Sequence, residues 1–234
     1  MYINKFQRKE TKYLLNQDEY DLLISKLNKY LVKDEYYKSN ISNIYFDTYN
    51  DDLIRMSNDK PIYKEKVRLR SYGKVSLDSK VFLEVKKKYK GIVTKRRISV
   101  KLKDFYMYLN SGEMIENSQI MKEIDYLFKY YNLVPKLLLA YDRESYKLIN
   151  DQNIRITFDT NIRSRKEDLF LEMGSSGNLL FKEKTYLMEI KAMGSYPIYL
   201  VNILSKCNIY PISFSKYGSV YKLNKESDRK CLTV

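Results

Sequence analysis

Lys64-Glu-Lys-Val-Arg-Leu-Arg-Ser-Tyr-Gly73, Val81-Phe-Leu-Glu-Val-Lys-Lys-Lys-Tyr-Lys-Gly91 and Ile92-Val-Thr-Lys-Arg-Arg-Ile-Ser-Val100 follow one another in the chain. They read as three short strands punctuated by Gly73 and Gly91. Side chains of a strand alternate between two faces, so Lys64, Lys66, Arg68 and Arg70 point one way and Val67 and Leu69 the other. In the second strand Glu84 and Lys86 share a face opposite Leu83 and Val85. In the third, Lys95 and Arg97 alternate with Arg96, Ile98 and Val100. Neighbouring strands therefore present a cationic surface with a carboxylate set into it. Like charges opposite each other on paired strands repel, so such a surface calls for an anionic occupant. A solvated outer sheet face is the plainer reading of any single strand. Recurrence along the chain favours the functional one.

The chain has 234 residues and a formal net charge of +14. That length suffices for a sizeable core and suits one domain over residues 1–222, followed by a solvated C-terminal tail at 223–234. The charge implies an anionic partner: nucleic acid, a phosphate-rich small molecule or a membrane surface. Histidine is absent, which removes imidazole metal ligands and histidine-based acid–base or nucleophile-activating schemes. Cys207 and Cys231 form neither a disulfide framework nor a zinc pattern and read as free thiols of a reducing compartment. No stretch resembles a signal peptide or approaches the length of a membrane span, so a cytoplasmic protein is expected.

Phe6 to Leu15 reads as a first strand, with Arg8, Glu10 and Lys12 on one face. Asn16 caps a helix with Glu19 three positions on, and Tyr20, Leu23, Leu27 and Leu31 form its buried stripe. Ser42 to Thr48 is another short strand, leading into a polar stretch at Asn50 to Asp52. After Lys103 a covering helical region carries Ile120, Ile124, Leu127, Phe128 and Tyr131 at helix spacing, with Pro135 as a stop. Leu137 to Leu148 is a strand placing Tyr141 and Arg143 together. A turn at Asn150 to Asn153 precedes a strand from Ile154 to Thr160 with Arg155, Thr157 and Asp159 on one face. Gly174 to Gly177 is a loop. Thr185 to Lys191 is the last strand, its Glu189 and Lys191 repeating the spacing of Glu84 and Lys86, and a final helix covers Pro197 to Lys206.

A sheet with one charged face that closes on itself has a polar interior. About eight strands leave room for side chains and a narrow ligand. Many cations with a few carboxylates suit a phosphate chain accompanied by a divalent metal, since Mg²⁺ and Mn²⁺ prefer carboxylate, water and phosphate oxygens.

Arg8-Lys-Glu-Thr-Lys-Tyr13, Ile44-Tyr-Phe-Asp-Thr48, Val67-Arg-Leu-Arg-Ser-Tyr-Gly73, Phe82-Leu-Glu-Val-Lys86, Tyr141-Asp-Arg143, Arg155-Ile-Thr-Phe-Asp159, Met188-Glu-Ile-Lys191 and Phe214-Ser-Lys-Tyr217 together resemble the VTC polyphosphate polymerase domain. That domain is one of the triphosphate tunnel metalloenzymes, which include the CYTH-type triphosphatases. The resemblance implies an α+β fold: an eight-stranded antiparallel β-barrel tunnel with flanking helices. It implies ATP-dependent polyphosphate synthesis, in which the γ-phosphate of ATP passes to a growing chain inside the basic tunnel and ADP is released. By the same resemblance Lys12, Arg68, Arg70, Lys86, Arg155 and Lys216 are the catalytic phosphate-binding residues, with Ser215 beside them. Glu189 is the principal ligand of Mn²⁺ or Mg²⁺, with Glu10 and Glu84 as further metal candidates. Lys95, Arg97, Arg143 and Lys191 join the substrate-binding set on strand parity. CYTH triphosphatases open with Glu-x-Glu-x-Lys, whereas this chain has Arg8-x-Glu10-x-Lys12, which favours the VTC branch and one metal rather than two. The alternatives are a metal-dependent triphosphatase of the same fold and a non-catalytic polyanion binder. The expected partners are ATP and polyphosphate or triphosphate. No nucleic acid is expected, and a membrane-associated partner protein is left open.

Overall fold

The computed structural model describes residues 9–59 and 61–231. Phe6 to Arg8, the start of the expected first strand, lie outside them. The described chain divides into two compact units, each assembled from three chain segments. Unit 1 is Met1–Ser39, Tyr141–Ile162 and Phe181–Phe214; unit 2 is Asn40–Ala140, Arg163–Leu180 and Ser215–Val234. Strands β2 (Leu31–Asp47) and β6 (Val134–Leu148) run through both.

In unit 1 the strands β1 (Lys9–Leu15), β9 (Tyr186–Ala192), β7 (Arg155–Arg165), β6 and β2 are hydrogen-bonded in that order. Their apolar face is packed by α1 (Gln17–Leu27) and α5 (Ile198–Lys206). Tyr13, Leu15, Ile156, Phe158, Met188 and Ile190 from the strands meet Leu23, Leu27, Leu200 and Leu204 from the helices. Helix α1 begins as its sequence dictates. The Asn16 side chain accepts from the Glu19 amide, and the Glu19 carboxylate accepts from the Asn16 amide, completing a capping box.

In unit 2 the order is β6, β2, β3 (Tyr63–Tyr72), β4 (Lys80–Tyr89) and β5 (Ile92–Lys101). The two-residue turn Lys90-Gly91 joins β4 to β5 with φ of 46° and 86°. Both residues are left-handed, the geometry that matches strand twist and the reason glycine stands at 91. Val67, Leu69, Val81, Leu83, Val85, Ile98 and Val100 face α3 (Leu102–Ser111) and α4 (Gln119–Tyr131), whose Phe105, Ile124, Leu127 and Phe128 complete the core. The short β8 (Asn178–Leu179) pairs with the end of β7 at Arg163 and Ser164.

Element types follow the sequence reading over most of the chain, with informative exceptions. Leu31 opens β2 rather than ending the helical stripe, and β2 starts well before Ser42. Its polar first half shows no clean alternation and is held by its partner strand instead. The stretch after Asn50 contains a helix, α2 (Asp52–Asn58), that hydrophobic periodicity does not reveal. Residues 223–231, expected as tail, continue α6 (Lys216–Cys231). Pro135 does not end α4, which stops at Tyr131 with Asn132 in a left-handed cap; the proline lies inside β6.

Candidate functional site

Each unit sets rows of cations and carboxylates on the sheet face opposite its core. In unit 1, register sets Glu10 opposite Lys191 and Lys12 opposite Glu189 across β1 and β9. On the other side of β9, Thr157 is opposite Glu189 and Arg155 opposite Lys191. Alternating pairs thus put cations and carboxylates shoulder to shoulder. Lys12 Nζ stands 3.5 Å from Glu10 Oε1 and 3.7 Å from Glu189 Oε1. Lys191 Nζ stands 3.6 Å from Glu10 Oε2 and 3.4 Å from Glu189 Oε2. Arg143 on β6 reaches Glu189 Oε2 at 3.7 Å and forms a bidentate pair with buried Asp159 at 2.6 and 2.7 Å. Burial opposes the Arg143 charge, yet Asp159 raises its pKa well above the ordinary guanidinium value. Lys12 is also fixed from behind, donating to the Phe214 carbonyl at 3.0 Å.

Arg155 is drawn elsewhere. Its guanidinium lies 3.0 Å from Asp34 Oδ2, a carboxylate shared with Lys147 at 3.1 Å and with the Ser145 hydroxyl at 3.1 Å. Among unit 1 residues expected at the site, the structure joins Lys12, Glu10, Glu189, Lys191 and Arg143 and turns Arg155 toward Asp34.

In unit 2 the charged rows are set by the pairings Tyr45–Arg68, Arg68–Glu84 and Glu84–Arg97, and by Lys66–Lys86 and Lys86–Lys95. Glu84, 1% exposed, is the hub. Arg68 donates to Glu84 Oε2 at 2.8 Å, Lys95 Nζ lies 2.6 Å from Oε1, and Arg70 Nε is 3.9 Å away. Burial would raise this carboxyl, but Arg68, Arg70 and Lys95 hold it down at about 2. Arg97 lies over the Phe82 ring at 4.7 Å. Lys86 is exposed between Lys66 and Lys95 in the register. Ser215 accepts from Lys66 Nζ at 3.1 Å and from the Gly218 amide at 3.2 Å, so it caps the start of α6, where Lys216 is the first residue.

Several residues on these faces were not singled out from the sequence. Tyr45 accepts from Arg68 at 3.1 Å and stacks on Tyr217 with ring centroids 4.5 Å apart. Its burial opposes ionisation, but Arg68, Lys66 and Arg70 together bring the phenol down to about 8. Asn43 accepts from Arg70 at 2.8 Å, which orients that guanidinium. The parity of Ile44 and Phe46 on the core face was the signal that would have found both. Thr157 is 1% exposed, and its hydroxyl finds no hydrogen-bond partner among the described residues.

Among the described residues no three carboxylates or thiols come together as a cage. Mg²⁺ and Mn²⁺ at phosphate sites need only one or two carboxylates, with phosphate and water completing the shell. Glu189 and Glu10, with the orphaned Thr157 hydroxyl in register with Glu189, match that requirement. Glu84 is enclosed by three cations and matches a positioning carboxylate better.

Comparison with known proteins follows the same line. The VTC domain model matches residues 7–224. No curated protein matches the chain in sequence. Among solved structures, a putative adenylate cyclase from Bacillus halodurans is 14% identical, with 89% of this chain and 95% of that one covered at a TM-score of 0.53. A putative adenylyl cyclase from Hippeastrum, HpAC1, described as having a dominant triphosphatase activity, is 16% identical, with coverage of 89% and 92% at a TM-score of 0.53. Likeness at this identity concerns the fold alone, an antiparallel sheet flanked by helices. A family match spanning almost the whole described chain, on strands whose charged faces carry the expected residues, makes this protein a member of the VTC domain family.

Proposed function

We propose that the protein is a polyphosphate polymerase that transfers the γ-phosphate of ATP to the end of a polyphosphate chain with the help of one divalent cation. The observation that carries this reading is the state of the carboxylates. Glu10, Glu84, Asp159 and Glu189 all stand against lysine or arginine, and Glu84 is held at an acidity where it is a poor base. A hydrolase must activate or position water, whereas a terminal phosphate oxygen is already ionised and needs no strong general base. Charged faces rich in cations and poor in available bases suit the second nucleophile.

In this reading Lys12, Lys191 and Arg143 in unit 1, and Arg68, Arg70, Lys86 and Lys95 in unit 2, bind phosphoryl oxygens and neutralise their charge. Phosphoryl transfer draws most of its acceleration from such positioning and electrostatics. Arg97, Arg155, Ser215 and Lys216 extend the phosphate-binding set, Arg155 on release from Asp34. Glu189, with Glu10, would hold Mn²⁺ or Mg²⁺, which supplies further charge neutralisation on the transferring group. Asp159 and Asn43 act through the arginines they orient.

Incubation with ATP and Mn²⁺, with and without a short polyphosphate primer, tests the reading. A ladder of lengthening polyphosphate with matching ADP and little free phosphate is expected. Glu189→Gln should lower metal-dependent turnover by about 100-fold or more while retaining tripolyphosphate binding. Free phosphate without a ladder would replace the polymerase with the triphosphatase described for the Hippeastrum protein. Binding without turnover would leave a polyanion-binding protein.

A further inference from the structure

The β3, β4 and β5 strands of unit 2 run past the part of the sheet that α4 covers. On their core face the register stacks rows across the strands: Val67 with Val85 and Arg96, then Glu65 with Lys87 and Thr94, then Tyr63 with Tyr89 and Ile92. Val67 and Val85 of the first row belong to the core, while its Arg96 pairs with Glu123 at 2.9 Å. The second is a polar collar, where Lys87 meets Glu123 at 2.8 Å and the Tyr131 hydroxyl donates to Glu65 at 3.2 Å. Beyond the collar the face becomes apolar again, with none of the described residues over it. Tyr63 is 43% exposed, Tyr89 53% and Ile92 59%, and around the same tip Ile62 and Val93, which alternation places on the other face, are 68% and 48% exposed. An apolar patch re-emerging outside a polar collar is a mark of an interaction surface rather than of a core.

Charge says what would cover it. The stretch from Lys86 to Arg97 holds no acidic residue, and of its seven lysines and arginines Lys88 and Lys90 stand outside both the proposed phosphate-binding set and the ion pairs with Glu123. Lys88 and Lys90 are exposed at the tip, with Lys90 Nζ 5.4 Å from the centre of the Tyr89 ring. Polyphosphate or nucleic acid would engage the lysines but leave isoleucine and valine without a role. A lipid surface uses all three residue classes: aliphatic side chains enter the acyl boundary, tyrosines sit at headgroup level and lysines pair with anionic headgroups.

We propose that the β4–β5 hairpin tip, with Ile62 and Tyr63 beside it, docks on the surface of an anionic phospholipid membrane. Docking is peripheral and reversible, since one short apolar tip inserts only to headgroup depth. It is independent of the phosphoryl-transfer reading, because the tip residues Ile62, Tyr63, Tyr89, Ile92 and Val93 are not part of the proposed phosphate-binding set.

The test is cosedimentation of the full chain with vesicles of phosphatidylcholine alone or with about one third phosphatidylserine. Partition into the phosphatidylserine vesicles, weakened by salt, is expected. Ile92→Ser with Val93→Ser, and separately Lys88→Gln with Lys90→Gln, should each lower it at least about tenfold. The chain has no tryptophan, so Val93→Trp places a single reporter at the tip, and its emission should shift to the blue on phosphatidylserine vesicles. Absent partition, partition indifferent to Ile92→Ser with Val93→Ser, or an unshifted reporter would overturn the proposal. Self-association abolished by the same serine variant would also overturn it, by making a second copy of the chain the occupant.

Discussion

Glu84 organises the charged face of unit 2. It is almost fully buried among Arg68, Arg70 and Lys95, so its charge is tolerated because theirs is, and the reverse. Removing one partner of such a group strands the others, which costs more than the group's net contribution. Glu84→Gln should destabilise the protein by about 3 kcal/mol in urea unfolding at neutral pH, and should weaken tripolyphosphate binding because Arg68 loses its anchor. The pH dependence has a definite sign. The folded carboxyl is lowered from 4.5 to about 2, so its stabilisation is complete above about 4.5 and disappears as pH falls toward 2. The difference between wild type and variant should therefore close across that window. A difference that persists unchanged to its lower end would show that the carboxylate is not held by these cations. A residue such as Arg155 teaches the converse: parity placed it on the charged face, while its ion pair with Asp34 comes from the part of β2 that its sequence conceals.

At the scale of elements, local chemistry sets boundaries where it is strong. The Asn16 and Glu19 capping box satisfies two amides that the first turn of α1 leaves open. Asn16→Ala should cost about 1 kcal/mol, lowering the thermal midpoint by about 2–4 °C for a chain of this size. An unchanged midpoint would mean that packing of Leu23 and Leu27 alone defines the helix. Helix α2 has no such local signal. Its Asp52 amide donates to the Thr48 hydroxyl at 2.9 Å, the next two, Leu53 and Ile54, donate to Asp47 at 2.8 and 2.9 Å, and Tyr217 from α6 donates to the same buried carboxylate at 3.1 Å. A helix stabilised by an aspartate at the end of a strand and by a tyrosine far along the chain is invisible to periodicity. The polar half of β2 was missed for the same kind of reason, being a strand by virtue of its partner rather than of its own alternation.

For the molecule as a whole, an excess of basic residues giving +14 makes polyanion binding strongly dependent on ionic strength. Tripolyphosphate affinity, measured calorimetrically without metal, should fall by at least about tenfold between roughly 0.05 and 0.5 M NaCl. A flat response would mean that short, dry contacts rather than the summed field hold the ligand. No described helix is long and apolar enough to cross a membrane, and the lipid contact proposed above is made by the surface of the β4–β5 tip.

The amino-acid sequence by itself determined which residues share a strand face, where the charged and apolar faces lie, and that the chain carries an excess of cations with a few carboxylates among them. Those are consequences of period-two alternation and composition, and they need no knowledge of partners. Only the tertiary structure decided which carboxylate meets which cation: Glu84 with Arg68 and Lys95, Glu189 with Lys12 and Lys191, and Asp34 with Arg155. It also decided that Tyr45 becomes an acidic phenol and that α2 exists at all. Pairing register and burial are set by strands and helices distant in the chain, and a shift of one residue in any ladder would exchange every partner while leaving each strand's own pattern intact.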